Sequence, residues 1–180
     1  MKKKILAVFG TLCVTTMAAI WCVGSSLPVS HSASVSRIIV AEQQKVFAVI
    51  SDFEAYPNWL GGTKSAVKTT DGATTRYTLI DSGGPVTYKV IELRAPTTLK
   101  TLIISKDLPY GGSWLITVES QPVEGDRNVS RVSIQEEEGK IYNPVLRFFA
   151  FYGFGYTTSM KSFLADLSVE LEKTGISGRR

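Results

Sequence analysis

From residue 64 to residue 138, apolar and polar side chains alternate with a period of two, and turn signals interrupt the alternation at short intervals. The pattern predicts six strands, at 64–70, 74–80, 86–93, 99–105, 113–120 and 129–136. The breaks between them are Asp71-Gly72, Gly83-Gly84-Pro85, Ala95-Pro96, Pro109-Tyr110-Gly111-Gly112 and Glu124-Gly125-Asp126. Connections this short join antiparallel neighbours, so a meander is expected. A seventh strand, at 35–40, precedes it through the alternation Val35-Ser36-Arg37-Ile38. Residues 41–51 read as a helix, with Val46, Phe47, Val49 and Ile50 on its apolar side and Glu42, Gln43 and Lys45 opposite. Asp52 is placed to cap a second short helix around Phe53-Glu54-Ala55-Tyr56, which Pro57 and Gly61-Gly62 would end.

The period changes to 3.6 at the far end. Asn143-Pro144 is a helix start, because Asn accepts from first-turn amides and Pro loses no useful donor there. Beyond it Phe149, Tyr152, Tyr156, Met160, Phe163, Leu167 and Leu171 recur at steps of three or four, which predicts one long helix over 143–173 with Gly175 just past its stop. Its second half is amphipathic, with Lys161, Asp166, Glu170, Glu172 and Lys173 on the outer face. Its first half carries Phe148, Phe149, Phe151, Tyr152, Phe154 and Tyr156 nearly all round, the pattern of a helix covered on all sides. Gly153 and Gly155 lie inside it, each costing about 1 kcal/mol against Ala, and a bend is expected there.

A large antiparallel sheet twists and curls, and the terminal helix is the one element long enough to cover its apolar face. A round helix does not fill a curved trough, so a cavity is expected between them. Its walls would be Tyr77, Leu79, Tyr88, Val90, Trp114, Ile116, Val132, Ile134 and the aromatic half of the helix. The arrangement, with Asp52-Phe53-Glu54-Ala55-Tyr56-Pro57-Asn58-Trp59 after the first helix and Ile141-Tyr142-Asn143-Pro144 opening the last, resembles the START-like or SRPBCC superfamily. That superfamily includes polyketide cyclase/dehydrase-like and Bet v 1-type proteins. The resemblance spans about residues 35–173. It implies an α+β helix-grip fold: a seven-stranded curved antiparallel sheet with two short helices and a long C-terminal helix. It further implies binding of an apolar small molecule or lipid, and it supplies no catalytic motif to carry over. The Gly-rich turn of the Bet v 1 proteins has no close match, and an export segment is unusual beside the cytoplasmic members.

The N-terminus adds that segment. Lys2, Lys3 and Lys4 precede nineteen residues, 5–23, without a charge. Residues 1–24 therefore read as a membrane anchor that stays uncleaved, in preference to a cleaved signal, with the domain extracytoplasmic, or secreted if cleavage occurs. The residues before Cys22 match lipoprotein processing poorly. Residues 25–34 read as a Ser-rich linker, 35–174 as the domain and 175–180 as a tail. Of 20 basic residues three are Lys2–Lys4, leaving 17 against 16 acidic ones and no clustered basic face, so nucleic acid is discounted as a partner. Cys13, Cys22 and His31, the only histidine, all precede the expected domain, which excludes disulfides, Cys-His or Ser-His-Asp catalysis and ordinary zinc sites from it. No cofactor or metal is expected, and the domain reads as a monomer.

Tyr77, Tyr88, Trp114, Phe149, Tyr152 and Tyr156 are the candidate ligand-binding residues, and no catalytic residue is assigned. Buried phenols need partners for their hydroxyls, which makes Tyr152 and Tyr156 the readiest ligand contacts. Trp59 is expected to plug the core, Glu136-Glu137-Glu138 to be solvated, and Arg76, Lys89, Glu119 and Arg131 to face outward. His31, in the expected linker, reads as solvated, and Asn128-Val129-Ser130 as a chance glycosylation match. The sequence favours a binding module for a hydrophobic small molecule or lipid. A cyclase/aromatase-like enzyme, which would need ionisable groups inside the cavity, and an interaction domain with a filled trough are the alternatives.

Overall fold

The computed structural model describes residues 2–72, 74–122 and 128–177. The chain runs α1 (Lys2–Ser26), β1 (Ser30–Ile39), α2 (Gln43–Ser51), a 3-10 turn (Phe53–Ala55), α3 (Tyr56–Trp59) and β2 (Ser65–Asp71). It continues with β3 (Thr74–Asp81), β4 (Gly84–Arg94), β5 (Thr98–Ile103), β6 (Tyr110–Gln121) and β7 (Val129–Ile141). It closes with α4 (Pro144–Phe149), a π turn (Ala150–Phe154) and α5 (Thr158–Ser177). Among the described residues, the strands form one antiparallel sheet in the order β1-β7-β6-β5-β4-β3-β2. The expected meander is therefore present, and the Glu124-Gly125-Asp126 turn lies outside the described residues.

The apolar sheet face is the one the alternation indicates. Leu79, Leu99, Ile116, Val118, Val132 and Ile134 are buried, with Tyr77, Tyr88, Val90 and Trp114 packed at the margin. Against them α5 lays Met160, Phe163, Leu164, Leu167 and Leu171, and α2 adds Val46, Phe47 and Ile50. Arg76 pairs with Asp71 at 3.5 Å on the outside. Trp59 packs edge-on against Tyr56 and Phe163, as a core plug does. Asp52 accepts from the Ala55 amide and Asn143 from the Leu146 amide, so both expected caps hold.

Four expectations are corrected. Strand β1 begins at Ser30, so the second half of the expected linker belongs to the sheet, paired with β7 from Ser30↔Lys140 to Ile39↔Ser130. Short Ser-rich stretches lack apolar alternation, yet edge pairing with a long partner needs only backbone. Pro57 does not end a helix but opens α3, where its missing amide costs nothing. The helical path of α5 also continues past Gly175, to Ser177. Most consequential, the predicted helix over 143–173 is broken. After α4 the path widens into the π turn and stops at Gly155, whose φ is +79°. A residue with a side chain adopts that conformation only at a cost, and α5 then starts afresh at Thr158. The apolar period runs on through the break in the sequence, but the two segments do not keep one face toward the sheet: Phe149 and Tyr152 are exposed, whereas Met160, Phe163, Leu167 and Leu171 are buried.

Backbone conformation therefore separates the two glycines. Gly155→Ala is expected to cost about 1–2 kcal/mol in denaturant titrations of the full chain in mild detergent. Gly153→Ala, with only a 3.8 Å contact to Phe149 and an ordinary backbone, should be neutral or slightly stabilising. Equal losses at both would show that the break is not held at Gly155.

Candidate functional site

α5 fills the trough at the end where α2 packs. At the other end, beneath the broken stretch 150–157, a cavity of about 600 Å³ remains. Apolar walls come from Leu79, Val86, Leu99, Ile103, Trp114, Ile116 and Phe163. Leu146, Ala150 and Phe154 form its rim on the helical side, and Tyr110 and Ile141 on the sheet side. Phe154, Tyr110 and Leu146 are exposed and so mark the mouth.

Of the six candidate residues, Tyr88, Trp114 and Tyr156 stand on the cavity wall. The other three candidates are elsewhere. Tyr77 stacks on Phe53 at 4.4 Å, with Lys68 over its ring, outside the lining. Phe149 and Tyr152 are exposed on the outer side of the α4–π turn segment. The aromatic half of the helix is thus not covered all round, because the π turn shifts the angular position of residues 150–154.

The cavity has a polar pole at residues whose sequence pattern predicts solvation. His31, on β1, stacks on Tyr156 with ring centroids 4.1 Å apart, and its Nε2 lies 3.0 Å from Glu136 Oε2. Both side chains are largely buried and line the cavity. Three strand irregularities place them there. The β1–β7 register shifts between His31 and Ala33, the β6–β7 register between Gly111 and Ser113, and Glu138 has φ +54°. Around this kink Glu136 faces the cavity and Glu137 pairs outward with Lys100. Gly139 makes the room, since a Cβ there would lie 2.8 Å from His31 Nε2 and 2.9 Å from the Glu136 carboxyl carbon. The expected solvation of Glu136 and of His31, and the absence of histidine from the domain, are thereby corrected. The exchange of a linker for a strand moved His31 across the boundary, and only the bulges set which carboxylate turns inward.

Two phenols are held neutral. Burial, with Tyr88 and Asp52 adding, raises Tyr56 far above the usual phenol range, and its hydroxyl donates to the Ile50 carbonyl at 2.7 Å. Burial, with Tyr110 and Asp81 adding, raises Tyr88 in the same direction. The cavity lining thus combines the phenols of Tyr88 and Tyr110 with the His31–Glu136 pair. Among the described residues no cluster of His, Cys, Asp and Glu has metal-site geometry.

A curved antiparallel sheet gripping a terminal helix, with an apolar cavity between them, defines a START-like helix-grip protein. The chain belongs to the family described as polyketide cyclase / dehydrase and lipid transport, which matches residues 30–172. A search of curated proteins gives no match. Solved structures share the fold. A norcoclaurine synthase point mutant of Thalictrum flavum is 15% identical, with TM-score 0.58 over 82% of this chain and 97% of that one. The Zhui aromatase/cyclase of Streptomyces sp. R1128 is 11% identical, with TM-score 0.60 over 80% and 94%. A START superfamily protein of Mycobacterium smegmatis is 18% identical, with TM-score 0.54 over 80% and 99%.

Two outcomes follow from the site geometry. A carboxylate at Nε2 keeps the proton of a neutral ring on Nε2 and leaves Nδ1 as acceptor. Because His31 is the only histidine, imidazole ¹⁵N shifts of the untagged chain should report that tautomer alone, and Glu136→Ala should mix the two. A mixed tautomer in the unsubstituted protein would break the assignment. For the phenols, folding holds the proton that the unfolded chain releases above about pH 10. Stability is then full below that pH and falls as pH rises through it. Tyr88→Phe should flatten this alkaline loss in thermal melts, and an unchanged slope would contradict it.

Proposed function

We propose that this chain binds a hydrophobic small molecule or lipid in the cavity between the sheet and the helical C-terminal segment. The observation that carries the proposal is the unfilled space, about 600 Å³ with mostly apolar walls, inside a grip whose remaining length is tightly packed. Cavities of this size suit ligands of a few tens of heavy atoms. That volume speaks against a trough filled by the domain's own side chains. Tyr88, Trp114 and Tyr156 would contact the apolar body of the ligand, and His31 with Glu136 would receive a polar end. The stretch Phe9–Ser26 is long and apolar enough to cross a membrane. Lys2–Lys4 before it support an anchored protein with the domain extracytoplasmic.

A cyclase-like enzyme is the second reading, and the His31–Glu136 pair favours it. An imidazole oriented by a carboxylate beside a stacked phenol is an arrangement for general base work. Such a base would take a proton α to a carbonyl of a polyketone. The enolate carbon would attack a second carbonyl, and the proton would return to the alkoxide formed.

The test is native mass spectrometry of the full chain from mild detergent, followed by organic extraction. A stoichiometric apolar adduct is expected, lost on Thr101→Phe, which fills the cavity from a buried position on its wall. A bare mass, with no melting shift across a panel of lipids and quinones, would overturn the carrier proposal. Turnover of a polyketone that His31→Ala abolishes while binding persists would favour the enzyme.

A further inference from the structure

We infer that the aromatic stretch running from α4 through the π turn seats in the outer surface of the same bilayer that α1 crosses, so that the cavity mouth opens at the lipid headgroups. The ligand class would then be a membrane-resident lipid that passes directly between bilayer and cavity. This rests on the anchored binding protein proposed above.

The first observation is a fixed position relative to the span. Phe9–Ser26 covers about 27 Å as a helix, close to a hydrocarbon core. α4 packs against α1 at Gly24, two residues from the end of that span, so closely that a Cβ on Gly24 would lie 2.0 Å from the Pro144 carbonyl oxygen. Arg147 Nη1 donates to the Leu27 carbonyl at 3.0 Å and ties α4 to the chain leaving the span. With α1 across a bilayer, α4 therefore lies at the boundary between hydrocarbon and water.

The second is what α4 and the π turn present at that level. Phe149, Phe151, Tyr152 and Phe154 are 41%, 51%, 61% and 57% exposed. Tyr152 touches Phe148 and Phe151, making one contiguous surface. Arg147 is the one charged residue between Lys140 and Lys161, and it is buried against the Leu27 carbonyl. Trp21, about one turn from Gly24 toward the interior of the span, is half exposed as well. Aromatic side chains without nearby charge are the composition of a membrane–water interface, whereas in water four such rings would be a liability.

The third is continuity with the cavity. Leu146, Ala150 and Phe154 belong both to this segment and to the cavity rim. A lipid leaving the bilayer here would meet apolar wall without crossing water.

The experiment uses the full chain in vesicles of phosphatidylcholine and phosphatidylglycerol, with single spin labels and power saturation against oxygen and a water-soluble nickel reagent. Labels are placed by Phe151→Cys, Tyr152→Cys and Phe154→Cys, each with Cys13→Ser and Cys22→Ser. Two references are used: native Cys13 in a Cys22→Ser chain, and Val67→Cys, again with Cys13→Ser and Cys22→Ser, on the sheet edge opposite β1. The expected result is a deep label at Cys13, a water-exposed label at Val67, and shallow lipid immersion at 151, 152 and 154, with nickel collisions several-fold below those at Val67. Nickel access at 151, 152 and 154 equal to that at Val67, with Cys13 still deep, overturns the inference and leaves the anchor standing. A Cys13 label that is not deep overturns the anchor itself, and the inference with it.

Discussion

The grip of the curved sheet on α5 is the interaction on which the other features depend. Met160, Phe163, Leu164, Leu167 and Leu171 recur on one face of the helix and meet the inward residues of β5, β6 and β7 along a concave surface. At about 25 cal/mol per Å² of apolar area, burying five large side chains makes this contact a leading source of the domain's stability. It also fixes the sheet's curvature, because a flat sheet could not reach both flanks of one helix. α2 and α3 lie between the two edge strands in the chain; α2 adds Val46, Phe47 and Ile50 to the packed part of the trough, and Tyr56 of α3 reaches the cavity wall.

That grip is complete along only part of the trough. Where α5 gives way to Gly155 and the π turn, no continuous helical face remains to follow the sheet, and the unfilled space appears there. The break thus produces two consequences from one backbone feature. It leaves the cavity inward, and it turns Phe149, Phe151 and Tyr152 outward. A straight helix through the same residues would have covered the trough and hidden more of its rings.

The polar pole arises at the matching place in the sheet. Bulges in β1 and β6 and the left-handed Glu138 coincide, so curvature concentrates where His31, Glu136 and Tyr156 converge. A His–carboxylate pair in an apolar cavity serves a carrier and a cyclase equally well, by receiving a polar end or by moving a proton. The family spans both activities in its description, and the fold is shared by a synthase and an aromatase/cyclase at identities that speak for fold alone.

Strand alternation, turn residues and the 3.6 period of 156–171 determined the element order, the meander and the inward face of the sheet, because each depends on local spacing alone. The caps at Asp52 and Asn143 were legible for the same reason. Half of the candidate site was legible too: Tyr88, Trp114 and Tyr156 follow from strand parity and helix face. Tyr77 shares that parity, but its place depends on Phe53, which stacks over it. Phe149 and Tyr152 depend on the angular shift of a π turn that leaves no mark in composition. His31 and Glu136 lie 105 residues apart, and their meeting depends on an edge strand without apolar pattern and on bulges that decide which side chain turns inward. Local periodicity settled what each segment is, and long-range pairing settled which residues share the cavity, because pairing register is a property of two strands and is written in neither alone.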